Sequence, residues 1–323
     1  MIVVAGEALI DLVPSQQEPS PQGQLPALLP RRGGGPYNTA IALGRLGSPT
    51  AFCSRVSTDA FGESLLHGLR GSGVDTSLVQ RGPEPTTLAV ADISADGSAG
   101  YGFYADGTAD RLFTLPPALP ETVRALSLGT CSLVLEPGAS AYEALLQREA
   151  RRGVFTALDP NVRPGLILDP DAYRARFHSW LPHLSLLKLS EEDALWLAGA
   201  ETGAGRDADR AAVTAAARRW LYAGPAAVVI TRGGDGLAVV TQGHEVLTVP
   251  GERVAVVDTI GAGDTVNAAL LHRLAAHDAL AYGPLAYLAA DAWEDVLRFA
   301  ARAAAVTCSR AGAEPPFAAE LAA

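Results

Sequence analysis

Short runs of β-branched and apolar residues alternate with longer Ala/Leu-rich stretches of helical period through most of this chain, and that alternation constrains the architecture more than any other feature. Residues 2–4 precede 38–46, 52–56 precede 61–69, and 154–158 precede 173–181. The order continues with 184–189 and 194–198, then 211–222 and 226–231. Strand, helix and strand in succession give parallel strands joined by helical crossovers that pack on the sheet faces. The expected fold class is α/β, a doubly wound, mostly parallel sheet flanked by helices. With 323 residues, 48% of them hydrophobic, the chain can bury one large core. It shows no linker and no internal repeat, so a single domain over 1–323 is expected.

Two regions break the rhythm. Residues 12–30 carry five prolines, and 86–113 alternate in a strand-like way around Gly97, Gly100, Gly102 and Gly107. Both are placed outside the main sheet, as the strands and turns of a small β-lid spanning about 12–32 and 86–113. For the Pro-rich region a plain loop is the other reading.

Charge and rare residues then exclude whole classes of chemistry. A net charge of −10 leaves no basic surface for nucleic acid or an anionic membrane. Cys53, Cys131 and Cys308 lie far apart, which suggests neither a disulfide framework nor a zinc site, and they are read as small buried hydrophobes. The apolar start is interrupted by Glu7 and Asp11 and has no basic leader, and no later run has membrane-spanning length, so a cytoplasmic protein is expected. Lys188 is the only lysine and is followed by Leu189, which rules out the Gly-Lys pair of a P-loop. As a Schiff-base nucleophile it is discounted, because residues 184–189 read as a buried strand end.

The sharpest local signal is Asp258-Thr259-Ile260-Gly261-Ala262-Gly263-Asp264, after a strand-like 254–257 and before a helical 265–274. A Gly-rich turn opening a helix gathers unpaired backbone N–H groups and the helix dipole at one point, which attracts an anion. Gly261 and Gly263 allow close approach, and Asp264 stands where it could take a proton from an attacking hydroxyl. The plainer reading makes Asp264 a helix N-cap. A second cluster, Gly33-Gly34-Gly35-Pro36-Tyr37-Asn38, runs into the helical 39–46. It offers a small ligand its backbone and the Asn38 amide, or it is a tight turn with Asn38 as N-cap. No G-x-G-x-x-G occurs, which disfavours a dinucleotide-dependent oxidoreductase.

Taken together these segments resemble the ribokinase-like, or PfkB, family of carbohydrate kinases over nearly the whole chain. The resemblance also includes Gly6-Glu7-Ala8-Leu9-Ile10-Asp11, Asp159-Pro160-Asn161-Val162-Arg163, residues 188–193 and Thr231-Arg232-Gly233-Gly234-Asp235-Gly236. It implies a ribokinase-like fold and ATP-dependent phosphorylation of a sugar hydroxyl, with Asp264 as base and Gly261, Ala262 and Gly263 as the anion hole. Asp11, Gly34, Gly35, Asn38 and Arg163 would bind the sugar, although Arg163 also reads as a surface arginine paired with Asp159. Lys188, Ser190, Thr231, Gly233 and Gly236 would serve ATP. Glu192 or Asp193 would organise Mg²⁺ in a stretch that equally reads as a helix cap, and a K⁺ site would draw on Asp258 and Ile260. Family lids often form a homodimer contact.

Residues 104–111 and the early motif look most like fructokinases, which make fructose 6-phosphate. The 2-dehydro-3-deoxygluconate kinases share much of this wording, and Arg111 or Arg163 could hold a sugar acid. A non-catalytic sugar-binding protein on the same fold is the alternative of another class.

Overall fold

Strand β1 (Ile2–Ala5) is buried along its whole length, with Ile2 and Val4 in one hydrophobic cluster and Val3 and Ala5 in another. A strand that feeds two cores is a central strand covered on both faces. The computed structural model describes residues 1–15, 25–93, 99–200, 205–243 and 245–321; residues 16–24 and 94–98 of the two expected lid segments, Gly97 among them, lie outside that set.

After β1 come β2 (Leu9–Pro14), β3 (Leu28–Gly33), α1 (Gly35–Arg45), β4 (Thr50–Ser57), α2 (Ala60–Gly71), β5 (Val79–Gly82), β6 (Leu88–Ile93) and β7 (Ala99–Tyr104). The middle of the chain forms β8 (Ala125–Gly129), α3 (Gly138–Arg151), β9 (Phe155–Asp159), α4 (Pro170–Trp180), β10 (Leu186–Ser190), α5 (Glu191–Leu197) and α6 (Arg206–Ala223). It closes with β11 (Ala227–Thr231), β12 (Leu237–Thr241), β13 (Leu247–Val249), α7 (Ala262–Ala276), α8 (Tyr282–Ala286), α9 (Ala290–Cys308) and α10 (Ala318–Leu321).

The large sheet has the order β13-β12-β11-β10-β9-β8-β1-β4-β5. It is parallel except where β12 runs against β11 and β13, as the strand-helix alternation requires. The chain steps from β1 to β4 on one side and returns to β8 on the other. That reversal splays the strand ends apart and leaves a crevice at the carboxyl ends of β1 and β8, the usual place for a ligand on such a sheet. A second sheet, β3-β2-β6-β7, stands outside the first; its strand β2 begins at Leu9, ahead of the first irregular segment.

Helix α7 packs between α1 and α9. From Asp264 to Leu271 every residue is buried, so the helix is clamped on all sides rather than amphipathic. One expectation fails here. Residues 254–257 form no strand, and Val254, Val256 and Val257 are exposed. Their β-branched side chains suit a strand, but with no neighbouring strand to pair with they run as open chain.

Candidate active site

The crevice is closed below by Glu7, which follows β1 and is only 1% exposed. Its carboxylate accepts from the backbone N–H groups of Gly35 (3.2 Å) and Ser132 (3.0 Å), tying the start of α1 to the segment after β8. Burial pushes its pKa up to about 7, opposed by hydrogen bonds that include those from Ser132, while Asp110 adds to the rise. Gly35 sits in a space no side chain could enter, for a Cβ there would lie 2.4 Å from Thr130 Oγ1 and 3.3 Å from Asp264 Oδ1. Thr130 itself has φ 62°, a strained conformation for a β-branched residue.

Asp264 is buried at 8% exposure and accepts a 2.9 Å hydrogen bond from Asn38 Nδ2. Neither residue is the cap of its helix, as the plainer readings held. Gly34 caps α1 and Gly261 caps α7, which places Asn38 and Asp264 one turn inside, where their side chains meet. Gly261 takes φ 77°, a left-handed conformation that glycine alone adopts without strain. Burial drives the Asp264 pKa up to about 7; the Asn38 hydrogen bond, Lys188 and Arg163 pull it down, while Asp159 adds to the rise. A carboxylate so poised near neutrality can take a proton from a hydroxyl.

The single lysine is both a buried strand residue and part of this wall. Lys188 is 4% exposed, its Nζ lies 2.7 Å from Asp159 Oδ2, and it stands 3.2 Å from where a Cβ on Gly263 would be. Arg163, whose Nη1 is held by the Asn161 side chain at 2.7 Å, faces the same cleft. Because Asp159 pairs with Lys188, the surface pairing of Arg163 with Asp159 is not what the structure shows. On the other side Asp11 comes from β2 of the second sheet; burial raises its pKa to about 6 against the pull of Arg163.

The cleft these groups enclose measures about 570 Å³ and contains Asp11, Gly34, Gly35, Asn38, Arg163 and Lys188. Gly261, Gly263, Asp264, Asp258 and Ile260 complete its far wall. A second, largely apolar pocket of about 250 Å³ is lined by Thr231, Gly233, Gly236, Ala262 and the Ala301–Cys308 turn of α9. Cys308, expected to be buried, is half-buried on its wall. Thr259 and Gly263 line both cavities. Two ligands seated in them would therefore meet over the Gly261–Gly263 turn.

Of the other expected residues, Ser190, Glu192 and Asp193 lie outside both cavities. Ser190 and Asp193 form a reciprocal cap on α5, and Asp193 also accepts from the N–H of Val162. Glu192 is exposed. Asp258 accepts from the N–H groups of Ile260 (3.0 Å) and Gly312 (2.8 Å), which stitches the turn to the C-terminal segment. Arg111 is turned away to Asp106 and the carbonyl of Glu136. Tyr104 is 68% exposed, and its neighbour Phe103 faces the cleft instead.

Glu7, Thr130 and Phe103 were missed by sequence reasoning. Glu7 stood inside a recognised motif, and Phe103 could have been chosen over Tyr104 only by knowing which face of β7 turns inward. Nothing in the sequence marks Thr130.

Known proteins resemble this chain in sequence and in fold. A profile described as pfkB family carbohydrate kinase matches residues 1–319. A fructokinase of Rhizobium leguminosarum bv. trifolii is 42% identical over 276 residues, covering 85% of this chain and 79% of its own. The crystal structure of a fructokinase from Xylella fastidiosa with bound ATP superposes with a TM-score of 0.84 at 26% identity, covering 99% of this chain and 97% of that one. A double mutant of the fructokinase of Vibrio cholerae O395, in fructose, ADP and potassium ion bound form, gives a TM-score of 0.80 at 25% identity, with 99% and 96% covered.

Proposed function

The chain belongs to the pfkB family of carbohydrate kinases, and from that premise we propose that it is a fructokinase, transferring the γ-phosphoryl group of ATP to fructose to give fructose 6-phosphate. The observation that carries this is the turn shared by two cavities. A polar cleft holding Asp11, Asn38 and Asp264 touches an apolar pocket suited to a nucleotide base only at Thr259 and Gly263. Phosphoryl transfer needs two bound substrates in line and a site for developing negative charge, and little else.

Fructose lies in the cleft under Phe103, its hydroxyls held by Asp11, Asn38 and the Gly34-Gly35 backbone, with Arg163 alongside. The nucleotide lies over Thr231, Gly233 and Gly236. Asp264 takes the proton of the attacking hydroxyl. The N–H groups of the Gly261–Gly263 turn and the Lys188 ammonium face the charge that builds on the γ-phosphoryl oxygens. Lys188 thus supplies in the cleft the cation that a P-loop supplies elsewhere.

Mg²⁺ enters with the nucleotide as MgATP. Both oxygens of Asp193 are engaged in hydrogen bonds, which leaves Glu192 as the uncommitted carboxylate of that stretch. A K⁺ ion beside the turn would draw on the Ile260 carbonyl and on Asp258, whose two oxygens also accept from Ile260 and Gly312, and would add positive charge there. The protein acts in the cytoplasm, consistent with the absence, among the described residues, of any helix long and apolar enough to cross a membrane. It pairs as a homodimer through the second sheet, where Leu28 and Leu29 of the edge strand β3 are 38% and 39% exposed.

Arg163 in the cleft gives one reason to include a sugar acid in the test. ADP release is measured with MgATP and fructose, ribose, 2-dehydro-3-deoxygluconate or tagatose 6-phosphate, with Asp264→Asn in parallel. Fructose should give the fastest turnover, lowered roughly 10²–10⁴-fold in the variant. Faster turnover of the sugar acid would move the assignment to that substrate, and a near-normal Asp264→Asn would remove Asp264 from its role.

A further inference from the structure

Next to the sugar cleft lies a much smaller cavity of about 10 Å³, room for a single water. Asp264, Gly35 and Thr130 line both and form the partition between them. Among the residues lining the small cavity, two buried oxygens have no hydrogen-bond partner: Asp159 Oδ1 and Asn267 Oδ1. Asp159 is 5% exposed and Asn267 is 3% exposed. The opposite ends of both side chains are engaged, Asp159 Oδ2 with Lys188 Nζ at 2.7 Å and Asn267 Nδ2 with Ser127 Oγ at 3.1 Å.

Unpaired acceptors at this depth are rare and costly, and here the two residues that carry them line one cavity. Whatever satisfies both must donate twice and be no larger than the space. A cation is disfavoured because Lys188 already neutralises Asp159. A water fits. With both hydrogens committed to Asp159 and Asn267, it has only lone pairs left for the other polar residues of the lining, Thr39, Ser127, Thr130 and Asp264, and of these four Asp264 alone is a carboxyl. Asn267 follows Asp264 by three residues on α7, so the two side chains share one helix face.

We propose that Asp159 and Asn267 are positioning residues that hold one ordered water against Asp264, oriented so that it accepts a hydrogen bond from Asp264 once that carboxylate carries the substrate's proton. The inference rests on the reading of Asp264 as the base. In the transfer step the sugar O–H bond breaks as its oxygen bonds to the γ-phosphorus. The proton passes to Asp264, and the bridging P–O electron pair leaves with ADP. The water gains no proton; its lone pairs favour the protonated carboxyl over the ionised one.

Other groups facing Asp264 set the balance. Asn38 from α1, Lys188 from β10 and Arg163 after β9 favour the ionised form, while Asp159 opposes it. Glu7 and Asp11, carboxyls after β1 and on β2, line the same cleft. The water adds to the side that keeps the proton. The base is therefore matched to neutral pH by a bound solvent molecule as well as by burial.

The test is Asn267→Leu, close in shape but without the acceptor. The kcat/KM for fructose is followed against pH at saturating MgATP, beside the unaltered protein. Ionised Asp264 is the active form, so kcat/KM rises as pH passes up through its pKa. Losing a partner of the protonated form should move that acid limb down by about one pH unit, the size of one hydrogen bond. A folded Asn267→Leu with reduced kcat and an unmoved acid limb would make Asn267 a packing residue and overturn the proposal. Failure of the base reading looks different, since the unaltered protein would then show no acid limb that Asp264→Asn removes. Should Asn267→Leu fail to fold, a high-resolution crystal structure of the unaltered protein decides. A water within hydrogen-bond reach of Asp159 Oδ1, Asn267 Oδ1 and Asp264 supports the assignment, and a cavity without one refutes it.

Discussion

Gly35→Ala adds one methyl group where the sugar, the base and Thr130 converge, and its effect can be worked from distances. The new Cβ would stand 2.4 Å from Thr130 Oγ1, where ordinary contact begins at 3.4 Å, a shortfall of about 1 Å. Rotation of Thr130 brings little relief, because a β-branched side chain is stiff about χ1 and this one already sits at φ 62°. Either the start of α1 or the Thr130 segment must move by about that much, and a misplacement of 1 Å costs on the order of 10² in rate. The expected loss in kcat/KM is thus about 100-fold, or roughly 2.7 kcal/mol of transition-state stabilisation. Thermal stability should change less, since overpacking costs ~1–3 kcal/mol while alanine regains up to ~1 kcal/mol over glycine in a helix. The assay is initial-rate ADP release over fructose concentration, with a melting curve beside it. Thr130→Gly in the same chain removes the obstructing hydroxyl and suits the positive φ, so the double variant should recover at least about tenfold. A single variant within about threefold of the unaltered protein, or a double variant no better than the single, would refute the steric argument.

Lys188→Met should lower kcat by about 10²–10³, as expected for losing one preorganised donor to the transferring group. It should also move the acid limb of kcat/KM above its position near pH 7, because a cation that favours ionised Asp264 is gone and the base then holds its proton to higher pH. An acid limb that stays in place would show that Lys188 does not face the base electrostatically. Sedimentation equilibrium at micromolar protein should return twice the chain mass; a monomer there would remove the contact assigned to β3.

What the sequence made legible was local. The alternation of strand and helix gives the large sheet because most crossovers are encoded in one contiguous stretch, and the 258–264 turn announces itself through its glycines. The same local reasoning was incomplete where a residue's partner lies far along the chain. Asp264 and Asn38 read as helix caps from their neighbours, yet they sit one turn inside their helices and bond across 226 positions. Lys188 reads as a buried strand residue from its apolar flanks, and only tertiary packing brings it against Gly263. Glu7 and Thr130 act through backbone groups of α1 and of the segment after β8, a role no pattern of spacing records. Residues 254–257 show the converse, β propensity without a strand to receive it.

The sugar cleft is assembled from two separate layers. Asp11 and Phe103 come from the second sheet, whereas Asp264, the Gly261–Gly263 turn and Lys188 belong to the large sheet and its helices. Selection can therefore rewrite the part of the cleft wall that Asp11 and Phe103 supply without touching the proposed transfer groups, while Gly34, Gly35, Asn38 and Arg163 stay tied to the large-sheet layer. A lineage built this way can change its diet while its chemistry stands still, and a library confined to β2, β6 and β7 would be the shortest route to new acceptors on this scaffold.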